Sequence, residues 1–305
     1  PGIWAKAVGI NGNRAAVIDW NETNPEGWES DQSPELKMYS DIILYELHHH
    51  DFSIDPNSGI EHKGKFLALT ETGTKTPEGE SSGLDHLKEL GVTHIHILPS
   101  FDFATIDERK LEKNKYNWGY DPKNYNVPDG SYSTDPVTPT TRIREFKEMV
   151  KSLHQNVLDV VYNHTASTEH SNFDLTVPGY FYRQNPDGSY SNASGCGNET
   201  ASEREMVRHY IIESVKFWAK EYHIDGFRFD LMGIHDIDTM NQLREELLKI
   251  DPTIFVYGEG WVAADSPLPF EQRAVKENVR KMKGISVFND EFRDGLKGST
   301  FDEQE

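Results

Sequence analysis

The sequence predicts an α/β fold built on a parallel sheet, and two observations carry that reading. Short apolar runs recur from residue 40 onward, with amphipathic helical patterns between them. Such alternation produces a parallel sheet, either open or closed into a barrel. In addition, the polar stretches with unusual residues, 100–139, 163–200 and 260–268, each follow the C-terminal end of a predicted strand. Both kinds of α/β fold place their sites there.

Taken in order, the predicted strands are "IILYEL" (42–47), "THIHILP" (93–99), "NVLDVVYN" (156–163), "IDGFRFDL" (224–231), "IFVYGEG" (254–260) and "GISVFND" (284–290). Ile143, Phe146, Val150 and Leu153 recur at helical spacing, as do Val207, Ile211, Val215, Trp218 and Tyr222. Ser202 with Glu205, and Thr239 with Gln242, fit capping boxes at two helix starts. Residues 165–200 form the longest non-periodic stretch and read as an inserted loop region. Val8, Ile10, Val17 and Ile18 flank the turn-prone "NGN" at 11–13, and a polar linker follows. Residues 1–38 therefore read as the edge of a separate β module, and 39–305 as the α/β domain.

Composition narrows the partners. With 51 acidic and 31 basic residues the formal charge is −20, which argues against nucleic acid or an anionic membrane surface. A neutral substrate suits it. Cys196 is the only cysteine, so no internal disulfide can form. No apolar run approaches the roughly 18 residues of a membrane span. The start lacks the pattern of a secretory signal, and the compartment stays open.

Three strand ends carry carboxylates in apolar company. In "GFRFD", Arg228 and Asp230 share one face of the strand while Phe227 and Phe229 point to the other. A guanidinium beside a carboxylate lowers its pKa, as a nucleophile requires; a buried structural ion pair would look the same. In "VYGEGW", Glu259 has Trp261 on the same parity, which suits a general acid with a raised pKa. An exposed strand-end glutamate is the plainer alternative. In "DVVYNH", Asp159 lies inside an apolar run and needs a partner, and His164 lies just past it. Two carboxylates about 5 Å apart are the machinery of a retaining glycosidase, and loop aromatics would serve as sugar platforms. A metal centre has one supporting feature, His94-x-His96 on a predicted strand. The "HHH" run at 48–50, read as extended chain, alternates faces and forms no three-ligand cluster.

The order "DVVYNH", "GFRFD", "YGEGW" resembles the first three catalytic signatures of the α-amylase superfamily, glycoside hydrolase family 13. "YNWGYDP" (116–122) is similar to the signature of its type I pullulanases, and "YELHHHDFS" (45–53), "ILPSFDF" (97–103), "DLMGIHD" (230–236) and "FNDEFRDGLKG" (288–298) match the same group. The resemblance implies a (β/α)8 barrel preceded by a β-sandwich module whose tail is residues 1–38. It implies hydrolysis of α-1,6-glucosidic branch linkages in pullulan and related α-glucans. Asp230 would be the nucleophile and Glu259 the acid/base, with Arg228 orienting Asp230. Asp159 and His164 would line the −1 subsite, His164 bonding the sugar directly. Tyr120 would stack on the −1 glucose, with Gly119 permitting close approach, and Trp118 and Trp261 would form walls.

Two departures stand out. The family's fourth signature, His-Asp-Asn or His-Asp-Ser after the seventh strand, is absent, and about six of eight barrel strands are present, so an incomplete barrel, inactive alone, is expected. His50 stands where related sequences carry arginine in "HxRDFS". No cofactor is implied; Asn163 occupies a position where many amylases coordinate calcium, without a full ligand set. The alternatives are a non-catalytic α-glucan-binding protein, or an isoamylase or branching enzyme.

Overall fold

The computed structural model describes residues 1–299. In chain order the elements are β1 (Leu44–Leu47), α1 (His49–Ser53), α2 (Gly83–Leu90), β2 (His94–Ile97), β3 (Phe101–Phe103), β4 (Pro122–Pro128), α3 (Pro139–Leu153) and β5 (Asn156–Val160). They continue with α4 (Asn172–Thr176), α5 (Glu205–Glu221), β6 (Gly226–Phe229), α6 (Ile237–Ile250), β7 (Phe255–Gly258), β8 (Ile285–Val287) and α7 (Asp290–Lys297). Strands β1, β2, β5, β6, β7 and β8 form one six-stranded sheet in that order, every neighbour parallel. All six expected strands are present, each within its expected range. Sheet order follows chain order with a crossover between each pair, which is the winding of a (β/α)8 barrel. Among the described residues β1 and β8 do not pair with each other, so six barrel strands stand as an open arc.

The alternating faces of the strands divide the core. Phe227 and Phe229 of β6 are fully buried in the apolar cluster formed with the helices, while Arg228 between them turns to the inner face. Helices α3 and α5 bury the apolar stripes expected of them, including Ile143, Phe146, Val150, Val207, Val215 and Trp218. The Trp218 indole donates to the Tyr125 carbonyl at 2.9 Å, which joins α5 to β4. Each such buried side chain contributes about 1.5–3 kcal/mol of apolar transfer, so the helices are fixed on the sheet by packing.

The expected capping boxes are not the real helix starts. Helix α6 begins at Ile237, and its cap is Asp236, whose carboxylate accepts from the Thr239 N–H at 3.0 Å. Ser202 lies before α5 and bonds Asp236 at 2.7 Å. Helix α5 itself begins at Glu205 after Arg204, with no side-chain cap.

The stretch 100–139 contains a feature that its turn-rich composition conceals: β3 and β4 pair antiparallel beside the barrel. Residues 1–38 form one isolated antiparallel bridge, Val8 with Ala15, and short 3-10 turns. They are held against the barrel by Trp28 stacked on His223 at 4.0 Å and by Lys147 bonding Thr23 and Asn24. No helix among the described residues is long and apolar enough to cross a membrane.

Candidate active site

Three consecutive strand ends, those of β5, β6 and β7, bring their polar residues to one point. Register pairs Asp159 with Arg228 and Arg228 with Tyr257, so these side chains share a row on the inner face. Arg228 is at the centre. Its Nη1 lies 3.0 Å from Asp159 Oδ1 and 3.0 Å from Asp230 Oδ1, and its Nη2 lies 2.9 Å from Glu259 Oε1. One buried guanidinium thus holds three carboxylates. A planar fork with donors on two edges can do this; a lysine could not.

The remaining carboxylate oxygens are also fixed. Asp159 Oδ2 accepts from the Tyr120 hydroxyl at 2.9 Å and faces His96 Nε2 at 3.1 Å. Asp230 Oδ2 accepts from the Asn163 amide at 2.9 Å. Glu259 Oε2 accepts from the backbone N–H of Leu231 at 2.9 Å. Leu231 is in the left-handed region with φ 39°, unusual for a branched aliphatic residue, and that turn aims its N–H at Glu259. Asp159 is completely buried, whereas Asp230 and Glu259 are partly open.

Electrostatics correct one expectation. Arg228 was expected to hold Asp230 below the usual carboxylate range, but Asp230 is pushed up to about 7. Burial is the main cause, and the neighbouring carboxylates of Asp159 and Glu259 add to it, while Arg228 pulls down. The sequence showed one cation beside one acid. Three acids share that cation, so its pull is divided.

His164 sits beside these acids. Its Nδ1 lies 2.6 Å from Asn163 Oδ1 and its Nε2 lies 2.8 Å from the Tyr120 carbonyl. Both neighbours are acceptor oxygens, so a neutral ring donates to only one of them, and the ring is buried. It stands between the Tyr120 carbonyl and Asn163, which in turn bonds Asp230.

The loop "YNWGYDP" is a locked turn. Asn117 Oδ1 accepts from the Gly119 N–H at 2.6 Å, and Asn117 Nδ2 donates to Asp121 at 3.0 Å. Gly119 has φ 92°, and a Cβ there would lie 2.8 Å from both the Cβ and the carbonyl oxygen of Pro99. Glycine is needed here for the positive φ and for close packing on Pro99. The turn delivers Tyr120 over Arg228, ring centroid to guanidinium 6.0 Å. Trp261 stands half-buried, 6.3 Å from Phe288, which itself covers Arg228 at 5.8 Å. Trp118 is 61% exposed and lies outside the hydrogen-bonded cluster.

Four contributors were not expected: Asn163 as a partner of Asp230, His96 as a partner of Asp159, the Leu231 N–H and the Phe288 ring. His96 and Asn163 were visible as strand-end polar residues on the parity of the acids. His96 also faces Glu46 at 3.4 Å, and His94 packs against Phe255. The H-x-H pair does share the inner face, yet neither histidine belongs to a three-ligand group among the described residues. The Asn163 side chain, the one pointer to calcium, is spent on Asp230 and His164.

Comparison with known proteins identifies the family. The α-amylase catalytic-domain family model matches residues 63–190. The chain is 48% identical over 302 residues to the pullulanase of Bacillus subtilis (strain 168), a match covering 98% of this chain and 41% of that protein. Isoamylase SU1 of Zea mays is 30% identical over 241 residues, 76% of this chain. The crystal structure of the Paenibacillus barengoltzii pullulanase, complexed with maltohexaose and α-cyclodextrin, superposes with a TM-score of 0.96 at 52% identity, covering 97% of this chain and 47% of that one. The chain therefore spans less than half the length of these pullulanases. In sequence and in fold, it belongs to the α-amylase family of glycoside hydrolases, on the branch of the type I pullulanases.

Proposed function

We propose that residues 39–305 supply the nucleophile and the acid/base of an enzyme that hydrolyses α-1,6-glucosidic branch linkages in α-glucans with retention. Residues 1–38 are read as the edge of a preceding β module, and 165–200 as a loop insertion on the strand ends. The observation that carries the reading is the single guanidinium of Arg228 bonded to Asp159, Asp230 and Glu259. Sharing one guanidinium puts Asp230 and Glu259 in the same site, and double displacement requires their carboxyls about 5 Å apart. An inverting pair is about 6.5–9.5 Å apart to admit a water.

In the first step Glu259 gives its proton to the departing 6-oxygen while Asp230 attacks the anomeric carbon. In the second, Glu259 takes a proton from water and that water releases the sugar from Asp230. Asn163 and Arg228 orient the attacking carboxylate, and the Leu231 N–H fixes the acid. Tyr120 offers a ring face to the −1 sugar while its hydroxyl, with His96, holds Asp159 in place. Trp118 and Trp261 flank the approach. The reaction as drawn uses side chains, and we assign it no cofactor. The ligand is an α-glucan, consistent with the maltohexaose and cyclodextrin of the P. barengoltzii complex.

The test is release of maltotriose from pullulan by this chain and by a version lengthened to the size of its relatives, with Asp230→Asn as control. The reading predicts release by the long form only, abolished by the substitution. Tight α-glucan binding without turnover by the long form would favour a binding protein. Cleavage of glycogen branches with pullulan untouched would favour an isoamylase.

A further inference from the structure

Among the described residues, two groups of three side chains bring potential metal-ligand atoms within 4.8 Å of one another. One, Asp102, Glu108 and Asp129, is already neutralised by a buried cation: Arg142 lies 2.9 Å from Glu108 and 3.4 Å from Asp102. The other, His48, His50 and Asp51, holds no such cation. It arises because the chain leaves β1 at Leu47 and turns at once into α1. The helical turn brings Asp51 beside His48 and His50, where an extended strand would have put it on the opposite face.

The far atom of each of these side chains is already held. His48 Nε2 bonds the Asn117 carbonyl at 2.8 Å, and His50 Nε2 meets Asn114 Oδ1 at 3.0 Å. Asp51 Oδ2 accepts from the Tyr116 hydroxyl at 2.9 Å. The near atoms converge: His50 Nδ1 lies 3.1 Å from Asp51 Oδ1, and His48 Nδ1 receives only the His50 backbone N–H, at 3.2 Å. Outer partners that fix the remote nitrogen of each imidazole and the remote oxygen of a carboxylate are what orient metal ligands.

We propose that His48, His50 and Asp51 bind one divalent transition ion of the zinc class and that the ion clamps the loop 114–121. Two imidazoles and one carboxylate suit zinc, cobalt or nickel; calcium prefers an all-oxygen set. All three outer partners, Asn114, Tyr116 and Asn117, lie at the start of the loop that carries Trp118 and Tyr120. A cavity of about 350 Å³ opens against His48 and His50. Lys113 and Lys115 line it without an ion-pair partner among the described residues. Their charge opposes a bare dication and favours an anion as fourth ligand.

The experiment is a Zn²⁺ titration of the untagged chain against a chromophoric chelator, with Co²⁺ absorption as a second readout. Neither depends on glycosidase activity, so this inference and the functional reading can fail separately. One ion per chain, tetrahedral cobalt bands, and affinity at least 10-fold weaker in both His50→Arg and Asp51→Asn are expected. Circular dichroism of the metal-free variants checks that they fold; both positions are solvent-accessible. Trypsin cleavage after Lys113 and Lys115 should slow with zinc in the unsubstituted chain alone. Equal affinity in all three proteins, or cobalt bands unchanged by the substitutions, would overturn the site. Unchanged trypsin cleavage with zinc bound would overturn the clamp.

Discussion

Asn163 donates from one amide nitrogen to both the backbone carbonyl and the carboxylate of Asp230, at 2.8 and 2.9 Å. The end of β5 thereby fixes both the main chain and the side chain at the end of β6. The other end of the same amide is held by His164, so the orientation of the proposed nucleophile depends on residues that need not touch a sugar.

Replacing Asn163 with alanine in the lengthened enzyme should therefore lower kcat on pullulan roughly 10- to 100-fold, the loss of a hydrogen bond to a charged group, with KM little changed. An equal fall in kcat and rise in KM would assign Asn163 to substrate binding. An unchanged kcat would remove it from the site.

Asp230 also has a cost for the fold. Its folded pKa, about 7, is above the ordinary value near 3.8, so between those values the folded state binds more protons than the unfolded one. Stability falls as pH rises through this window. Asp230→Asn should raise the melting temperature, by more at pH 8 than at pH 5, with a gain of a few kcal/mol at the higher pH. A gain independent of pH would mean that Asp230 is not held up by its surroundings. In the active enzyme the same group must lose its proton to attack, so kcat/KM should rise with pH on the acid side, with a midpoint above the ordinary aspartate value.

Gly119→Ala should destabilise the loop by about 1–3 kcal/mol, because alanine resists φ 92° and its methyl would meet Pro99. Faster proteolysis between residues 113 and 121 with the global melting temperature held would show a local effect. No change in either would mean the Pro99 contact yields freely.

The open sheet has its own consequence. The outer edge of β1 is unpaired among the described residues, Ile43 and Leu44 beside it are exposed, and so are Phe292 and Leu296 of α7. Unpaired parallel edges with apolar neighbours associate. Sedimentation of the chain should show oligomers that grow with concentration. A monodisperse monomer would show that the arc is stable without closure.

Much of this was legible in the sequence because period-2 and period-3.6 patterns are local. The six strands, the stripes of α3 and α5, and the shared face of Arg228 and Asp230 follow from spacing alone. What was illegible depended on contacts between distant segments. The charge state of Asp230 could not be read from Arg228, since Asp159 and Glu259 reach the same guanidinium from other strands. The neighbours of His164, Asn163 and the Tyr120 carbonyl, are set only by the fold. The "HHH" run was read as extended, and its helical turn depends on where β1 stops.

The central claim is that Asp230 is the group that becomes bonded to sugar. The direct measurement is peptide mapping by mass spectrometry after the lengthened enzyme is trapped with a fluorinated maltosyl fluoride, a slow substrate for retaining glycosidases. The account predicts one added glycosyl mass, on the peptide containing Asp230, and none in Asp230→Asn. A label on Glu259 or Asp159, or steady turnover without any label, would contradict it.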